Sequence, residues 1–563
     1  MIRQKMEKID TDKKIKIQPP MIDSQKEETR KRGLSLSPSS LFKTIMLNYT
    51  FSRFSINPVI FLILTVSLTL SLTYICSLFI VWEEGNLLFP SVWLAGFTIL
   101  VFDLVLHVLC AILYPITKSY ILKEIDLVSI PSCAIVYPVR NESIGLYERM
   151  EYTLENNNLP NVTFCFLSDS SPEYFVYESD VVNRLRKRFG NDKVYYFHRR
   201  FPYDAKPGNI KGWLMHHFQE YEYFFVCDAD SLLPKGALLK LLRKAEHPEN
   251  AHVGIFQTHI EVAHAKTLFS KHQSYGVHIS QRLYTDVKQR IFGTALSFGH
   301  GNLIRTGAFL LIDVPVGVLS HDIWDMALLN QKGYTTIFCP DVISYEEVPS
   351  NYLEMRRRDR RWIKGNFQSA PLLFKSGLSL GARFYLFYGL FMYSCQPIFL
   401  SWIIFSVLGN SSVFGRFLFL KPIMGSGMNP LFIEIHYFTI LIIGLVFLHK
   451  FLFCKTRKDI VTVLKEITFS TIICLNNIVY HSIDIALITF KKISWVPMKK
   501  DPYGRLTLKK TIKHMWPSTF IGIWLAFFIF NYCPSVTILV FPILISFILS
   551  IPVVYFTSLP ISR

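Results

Sequence analysis

The sequence predicts a polytopic membrane protein with an α/β domain inserted between its membrane helices. Three observations carry this. Half of the 563 residues are hydrophobic and only 18% are charged, below the roughly 25% usual in soluble proteins. Long apolar runs lie toward both ends of the chain. Between them, short apolar segments alternate with helical patterns, the mark of a sheet covered on both faces.

Residues 1–57 are polar and basic and precede any long apolar run. They read as a disordered cytoplasmic tail rather than a cleaved signal peptide. Residues 58–82 carry no charge before two glutamates and are long enough to cross a hydrocarbon core of about 30 Å. A second span covers 87–114. It contains Asp103 and His107, four residues apart and therefore on one helix face, expected toward the bundle interior as a structural pair.

Residues 118–382 differ in character. Strands are expected at 133–139, 162–167, 193–198, 223–227, 253–257 and 335–339, with helices between several of them, as at 177–188. From residue 383 the chain is apolar again, with spans expected at 384–408 and 437–454. Residues 468–490 are apolar enough to cross, but 491–513 then carry eight Lys/Arg against one Asp. The positive-inside rule opposes placing that segment outside. Residues 459–490 are accordingly expected on the cytoplasmic face, as interfacial helices. Two further spans, 516–531 and 535–555, turn at Pro534. This gives six spans, with both termini and the central domain cytoplasmic.

The net charge of +18 suits cytoplasmic basic loops. Nucleic acid, the other partner of a basic chain, is not expected, because the Lys and Arg residues lie mostly beside apolar runs. The ten cysteines form no C-x-x-C pair and predict neither disulfides nor a zinc site.

The chemistry-bearing residues sit where strands end. Phe225-Val-Cys-Asp228-Ala-Asp230 points two carboxylates from a sheet edge, hard oxygen ligands for Mg²⁺ or Mn²⁺ on a diphosphate. Asp169 ends another strand and suits a ribose or uracil contact, though a helix cap reads equally well. Asn141 and Glu142 close the first strand in the same way. Lys206-Pro-Gly208-Asn209 reads as a glycine turn with a cation beside phosphate. Asp322, after His321, is the candidate general base. A capping role at the start of a helix over 323–332 would keep it ionised. Arg356 to Trp362 is a basic run broken by Asp359 and closed by an aromatic plate. Arg358 and Arg361 can fork onto a diphosphate, and Trp362 can stack on a sugar.

The series Asp169, Asp228-x-Asp230, Asp322 and Arg-Arg-Trp362 resembles the motifs of processive family 2 glycosyltransferases. Gly299-His-Gly-Asn302, Ser-His-Asp322, Ser-Tyr-Glu-Glu347-x-Pro349 and Arg-Asp-Arg-Arg-Trp-x-x-Gly-Asn366 resemble the bacterial periplasmic glucan glucosyltransferases, the MdoH/OpgH family. The resemblance runs from about Ser132 to the C-terminus. It implies a cytoplasmic GT-A-like catalytic domain in the bacterial inner membrane, UDP-glucose as donor and Mg²⁺ (or Mn²⁺) as cofactor. It also implies inversion to a β-linked glucan, the β-1,2 backbone of periplasmic glucans, exported through the spans toward a periplasmic processing partner. In that scheme Asp169 holds uridine, Asp228 and Asp230 hold phosphate and metal, and Asp322 is the base. Asn141, Glu142, Lys206, Arg358 and Arg361 complete the donor site, while Trp362 and His321 meet the acceptor.

Two features depart from the wider pattern. Arg358 stands where cellulose synthases have Gln, and only two spans precede the catalytic domain. Trp495, Lys499 and Lys500 sit where those enzymes carry a gating loop and are expected to close over the donor. Competing readings are a non-processive enzyme making a glycolipid, a synthase for another UDP-sugar, and a catalytically dead transporter or scaffold.

Overall fold

The computed structural model describes residues 57–78, 88–409, 456–490, 504–532 and 537–561, with isolated residues between 444 and 454. The basic tail up to residue 56, most of the 437–454 run, the Pro534 turn and the Trp495–Lys500 gating candidate lie outside these.

Two helices come first, α1 (Pro58–Ser77) and α2 (Leu88–Ile116). Asn57 caps α1 by accepting the Val59 N–H at 2.8 Å, and Pro58 takes the first helical position, where its missing N–H is no loss. His107 on α2 bonds the Asp103 carbonyl at 2.7 Å, so its Nδ1 is the donor.

The central domain then alternates β1 (Cys133–Val139), α3 (Leu146–Asn156), β2 (Val162–Ser168), α4 (Phe175–Phe189), β3 (Val194–His198), α5 (Ala205–His217), β4 (Tyr223–Val226), α6 (Ala237–Glu246) and β5 (Val253–Val262). After α7 (Leu268–Ile279), a π-helical turn (Ser280–Thr285) leads into α8 (Asp286–Phe292). Next come β6 (Asn302–Arg305), α9 (His321–Gln331), β7 (Thr335–Glu346) and α10 (Tyr352–Gln368). The seven strands pair in the order β3-β2-β1-β4-β6-β5-β7. β6 alone runs against both neighbours, while the remaining pairs are parallel.

Strand alternation explains how both faces are covered. Cys133, Ile135, Tyr137 and Val139 pack with Met150 and Leu154 of α3. Ala134 and Val136 pack on the other side with Ile210 and Trp213 of α5. All six expected strands form. β6 was not expected: it has four residues and pairs in the sheet through Leu303 and Ile304, so its pattern is too short to read. β5 and β7 continue well past their apolar cores, through His259, Glu261, Ser344 and Glu346, because ladder pairing carries on through polar residues.

The last part holds α11 (Leu380–Gly409), α12 (Arg457–Cys474), α13 (Asn476–Phe490), α14 (Leu508–Tyr532), α15 (Thr537–Ile548) and α16 (Ser550–Thr557). Tyr388 of α11 places its hydroxyl 3.2 Å from both Asp103 and His107, so that pair faces another helix, as expected. Among the described residues four helices are long and apolar enough to cross a membrane: Pro58–Ser77, Ser91–Ile116, Leu380–Phe405 and Arg457–Ile488. A fifth is possible if Val540–Ile548 and Ser550–Thr557, bent by 65°, form one broken span. The 535–555 run is thus not one straight helix. Its break falls at Leu549, and Pro552 lies in the first turn of the new helix, where proline is tolerated. The segment read as interfacial, 459–490, is by length and composition among the candidate spans.

Candidate active site

The site forms at the carboxyl edge of β1, β2 and β4, the place where open α/β sheets bind ligands. After β4 ends at Val226, the Asp228 N–H donates to Ser231 Oγ at 2.8 Å and fixes the turn. Lys206 forms an ion pair with Asp228 and donates to the Gly299 carbonyl at 2.7 Å. The expected glycine turn at 206–209 is instead the first turn of α5. Pro207 is tolerated there, and Gly208 packs under the Tyr203 carbonyl, which an added Cβ would meet at 2.2 Å.

Asp228, His300 and Glu346 offer ligand atoms within 4.8 Å of one another. His300 Nδ1 lies 3.3 Å from Glu346 Oε2. The expected metal pair was Asp228 and Asp230. The structure groups Asp228 with residues from the β6 entry and the β7 end instead, while Asp230 is 3% exposed and outside that group. Two carboxylates and an imidazole form a donor set suited to Mn²⁺, and less to an all-oxygen Mg²⁺ shell.

Asp322 lies in the first turn of α9, two residues past the N-cap, which is Ser320. Gly299 packs against it, and a Cβ there would lie 3.2 Å from Asp322 Cβ. Burial raises the Asp322 carboxyl above the usual carboxylate range, against the pull of His321 and Lys206, and Asp325 adds to the rise. The helix end was expected to favour its ionised form; burial acts in the opposite direction and is the largest effect on it. His321 turns its Nδ1 to Asp325 at 3.0 Å. Burial disfavours its cation, but Asp325 and Asp322 outweigh that and the net shift is upward.

Arg361 of α10 completes the cluster. Burial lowers its pKa, while the charges of Asp228 and Asp322 both act to raise it. One guanidinium thus lies within electrostatic reach of the metal-side acid and the candidate base. Arg358 points elsewhere: it pairs with Asp359 at 3.0 Å and stacks over Trp362, 4.1 Å from the ring. Trp362 remains 41% exposed, open to a sugar face. Arg356 and Arg360 both reach Asp484 of α13, at 3.0 and 2.7 Å.

The remaining expected donor residues are held close by. Asp169 is buried, and both its oxygens accept from Arg199, so its immediate role is to fix that arginine. Asn141, at φ 56°, accepts from Ser171 N–H at 2.8 Å and ties the β1 and β2 loops together. Glu142 follows in the same loop. Sequence reasoning assigned no role to His300, Glu346, Arg199 or Arg149. Arg149 joins Glu347, at 2.7 Å, to the Ala229 carbonyl. The Gly-His-Gly and Tyr-Glu-Glu motifs were the available signals for two of these residues, His300 and Glu346.

Close packing sets the base. An added Cβ on Gly365 of α10 would lie 2.0 Å from Ser320 Oγ. Gly365→Ala is expected to cost about 1–3 kcal/mol through overpacking. By shifting the Ser320-His321-Asp322 turn it should also lower kcat about 10²-fold. Thermal unfolding and initial rates on the purified variant check this; an unchanged kcat contradicts it.

A mixed sheet with acids at its carboxyl edge, closed by an arginine-rich helix and flanked by apolar helices, is a GT-A-like fold with helices that could span a membrane. The comparisons narrow this. Residues 223–450 match the model of Glycosyl transferase family group 2. It is similar to the "Glucans biosynthesis glucosyltransferase H" of Bradyrhizobium diazoefficiens, 32% identical over 256 residues, 43% of this chain and 34% of that protein. The protein of the same name from Pseudomonas syringae pv. tomato is 28% identical over 451 residues, 74% of this chain and 52% of that protein. The chain thus spans a third to a half of the length of these curated relatives. Among solved structures, the mannosyltransferase PcManGT from Pyrobaculum calidifontis, in complex with GDP-Man and Mn²⁺, aligns at TM-score 0.44 and 13% identity, over 70% of this chain and 97% of that one.

Proposed function

We propose that this protein transfers glucose from UDP-glucose, with inversion, onto a growing β-linked glucan, and exports the product through its apolar helices. The observation that carries the reading is the convergence of Asp228, Asp322 and Arg361 at one sheet edge. Asp322 takes the proton of the acceptor hydroxyl. The hydroxyl oxygen bonds to the anomeric carbon as the bond to the β-phosphate oxygen breaks. Charge collects on the departing diphosphate, where Arg361 and Lys206 supply cations in a partly desolvated site. A divalent cation held by Asp228, His300 and Glu346 would neutralise further diphosphate charge when bound. Trp362 offers the acceptor sugar a stacking face, with Arg358 laid over it.

The names of the similar proteins support glucose and glucan. The same proposal takes the linkage as β-1,2 and puts the catalytic domain on the cytoplasmic side of a bacterial inner membrane. Purified protein in detergent, given UDP-glucose, UDP-N-acetylglucosamine or GDP-mannose with Mg²⁺ or Mn²⁺, tests the donor through nucleotide release. Selective consumption of UDP-glucose is expected. Preference for either other donor overturns the assignment.

A further inference from the structure

A second cluster of metal-type ligands lies on the opposite face of the sheet from the catalytic acids. Along β5, side chains alternate. Thr258 faces the catalytic side, its hydroxyl 2.6 Å from both the Gly301 carbonyl and Ser344 Oγ. His259 and Glu261 pair with Ile343 and Tyr345 of β7, which alternate with Ser344 and Glu346, so both lie on the opposite face. There they meet His278, near the end of α7. His259 Nε2 is 3.5 Å and His278 Nδ1 is 3.6 Å from the same oxygen, Glu261 Oε1. Every ligand atom of the three lies within 4.8 Å of the others.

We propose that His259, Glu261 and His278 bind one zinc-class transition-metal ion, which staples strand β5 to helix α7. The spacing fits. Two ligands each about 2.0–2.1 Å from a tetrahedral Zn²⁺ lie about 3.4 Å apart. The chemistry fits as well: two imidazoles and one carboxylate, with a fourth position open, form a borderline donor set favouring Zn²⁺ over Mg²⁺ or Ca²⁺.

His259 gives the independent observation. It is 1% exposed, and neither ring nitrogen makes a hydrogen bond. A buried imidazole without partners carries an unmet desolvation cost, which a metal bond would offset. Phe338 packs beside its ring, with centroids 5.8 Å apart. The His278 and Glu261 side chains are 42% and 30% exposed, so an ion can enter.

The location gives the staple a consequence. On α7, His272 lies against Phe469 of α12, ring centroids 3.9 Å apart, and bonds Ser470 at 3.2 Å. A metal fixing α7 to β5 would therefore brace the sheet against a helix long enough to cross a membrane.

The test uses the full chain in detergent, stripped with chelator, in an Asp228→Asn background that removes the other candidate site. Co²⁺ is titrated first. The expected result is one equivalent giving the intense visible absorption of a four-coordinate ion, displaced by Zn²⁺, with Zn²⁺ raising the unfolding temperature. His278→Ala, at a half-exposed position that should fold normally, is expected to lose both signals. His278→Cys is expected to restore the band with added thiolate character. Absence of a stoichiometric Co²⁺ band overturns the proposal, as does a band that survives His278→Ala.

Discussion

Asp322→Asn is expected to lower kcat by about 10²–10⁴-fold, the range a positioned general base supplies, with KM for the donor little changed. The variant keeps the shape of the side chain, exchanges one acceptor oxygen for an amide donor, and removes its ability to take a proton. The wild-type pH profile carries a second signature. Because burial raises the Asp322 carboxyl, the acid limb of kcat/KM should lie above the roughly 3.9 of a free aspartate. Activity is present above the folded pKa and lost as pH falls through it. Stability runs the other way. A carboxyl whose pKa is raised on folding favours the folded state at low pH and opposes it as pH rises through the folded value. At neutral pH Asp322→Asn should therefore unfold at a temperature no lower than wild type while being inactive. A joint loss of stability and activity would show that Asp322 is a structural residue.

Arg361→Met should lower kcat by about 10²–10³-fold, as expected when a donor aimed at developing transition-state charge is removed. It also deletes the cation that Asp228 and Asp322 share. Losing a positive neighbour raises a carboxylate pKa, so the acid limb should move to higher pH. Arg361→Lys separates charge from geometry. It should return the acid limb toward wild type yet recover kcat only partly, since Lys lacks the planar fork. If Arg361→Met leaves the acid limb in place, Arg361 does not face the base. Initial rates across pH on the purified proteins decide both points.

Much of the candidate site was legible because strands ending in acids have short-range signatures. Asp228, Asp322 and Arg361 were each identifiable from the residues around them, and the structure brings them together. What escaped depends on distant pairing. β6 has four residues and is held by neighbours 45 to 82 positions away in the chain. His300 and Glu346 meet Asp228 only because β6 and β7 lie where they do. The Lys206 segment carried turn-like Pro and Gly, yet the close Tyr203 carbonyl makes Gly208 a packing requirement inside a helix. The direction of the Asp322 shift was misread for a related reason. The helix-end effect is visible in sequence, whereas the burial that outweighs it comes from Gly299 and α10 folding over the site. Arg356 and Arg360 were read only as members of a basic run, because their partner, Asp484, lies more than a hundred residues on.

The measurement that tests the central claim most directly is incorporation of radiolabelled UDP-glucose by membranes holding wild type or Asp322→Asn, with Mg²⁺ or Mn²⁺ supplied. The account predicts a high-molecular-weight, glucanase-sensitive product from wild type and none from the variant. A lipid-extractable glycoside of one or a few sugars from wild type would contradict the polymerising role. Equal product from both membranes would contradict the assignment of Asp322 as the base.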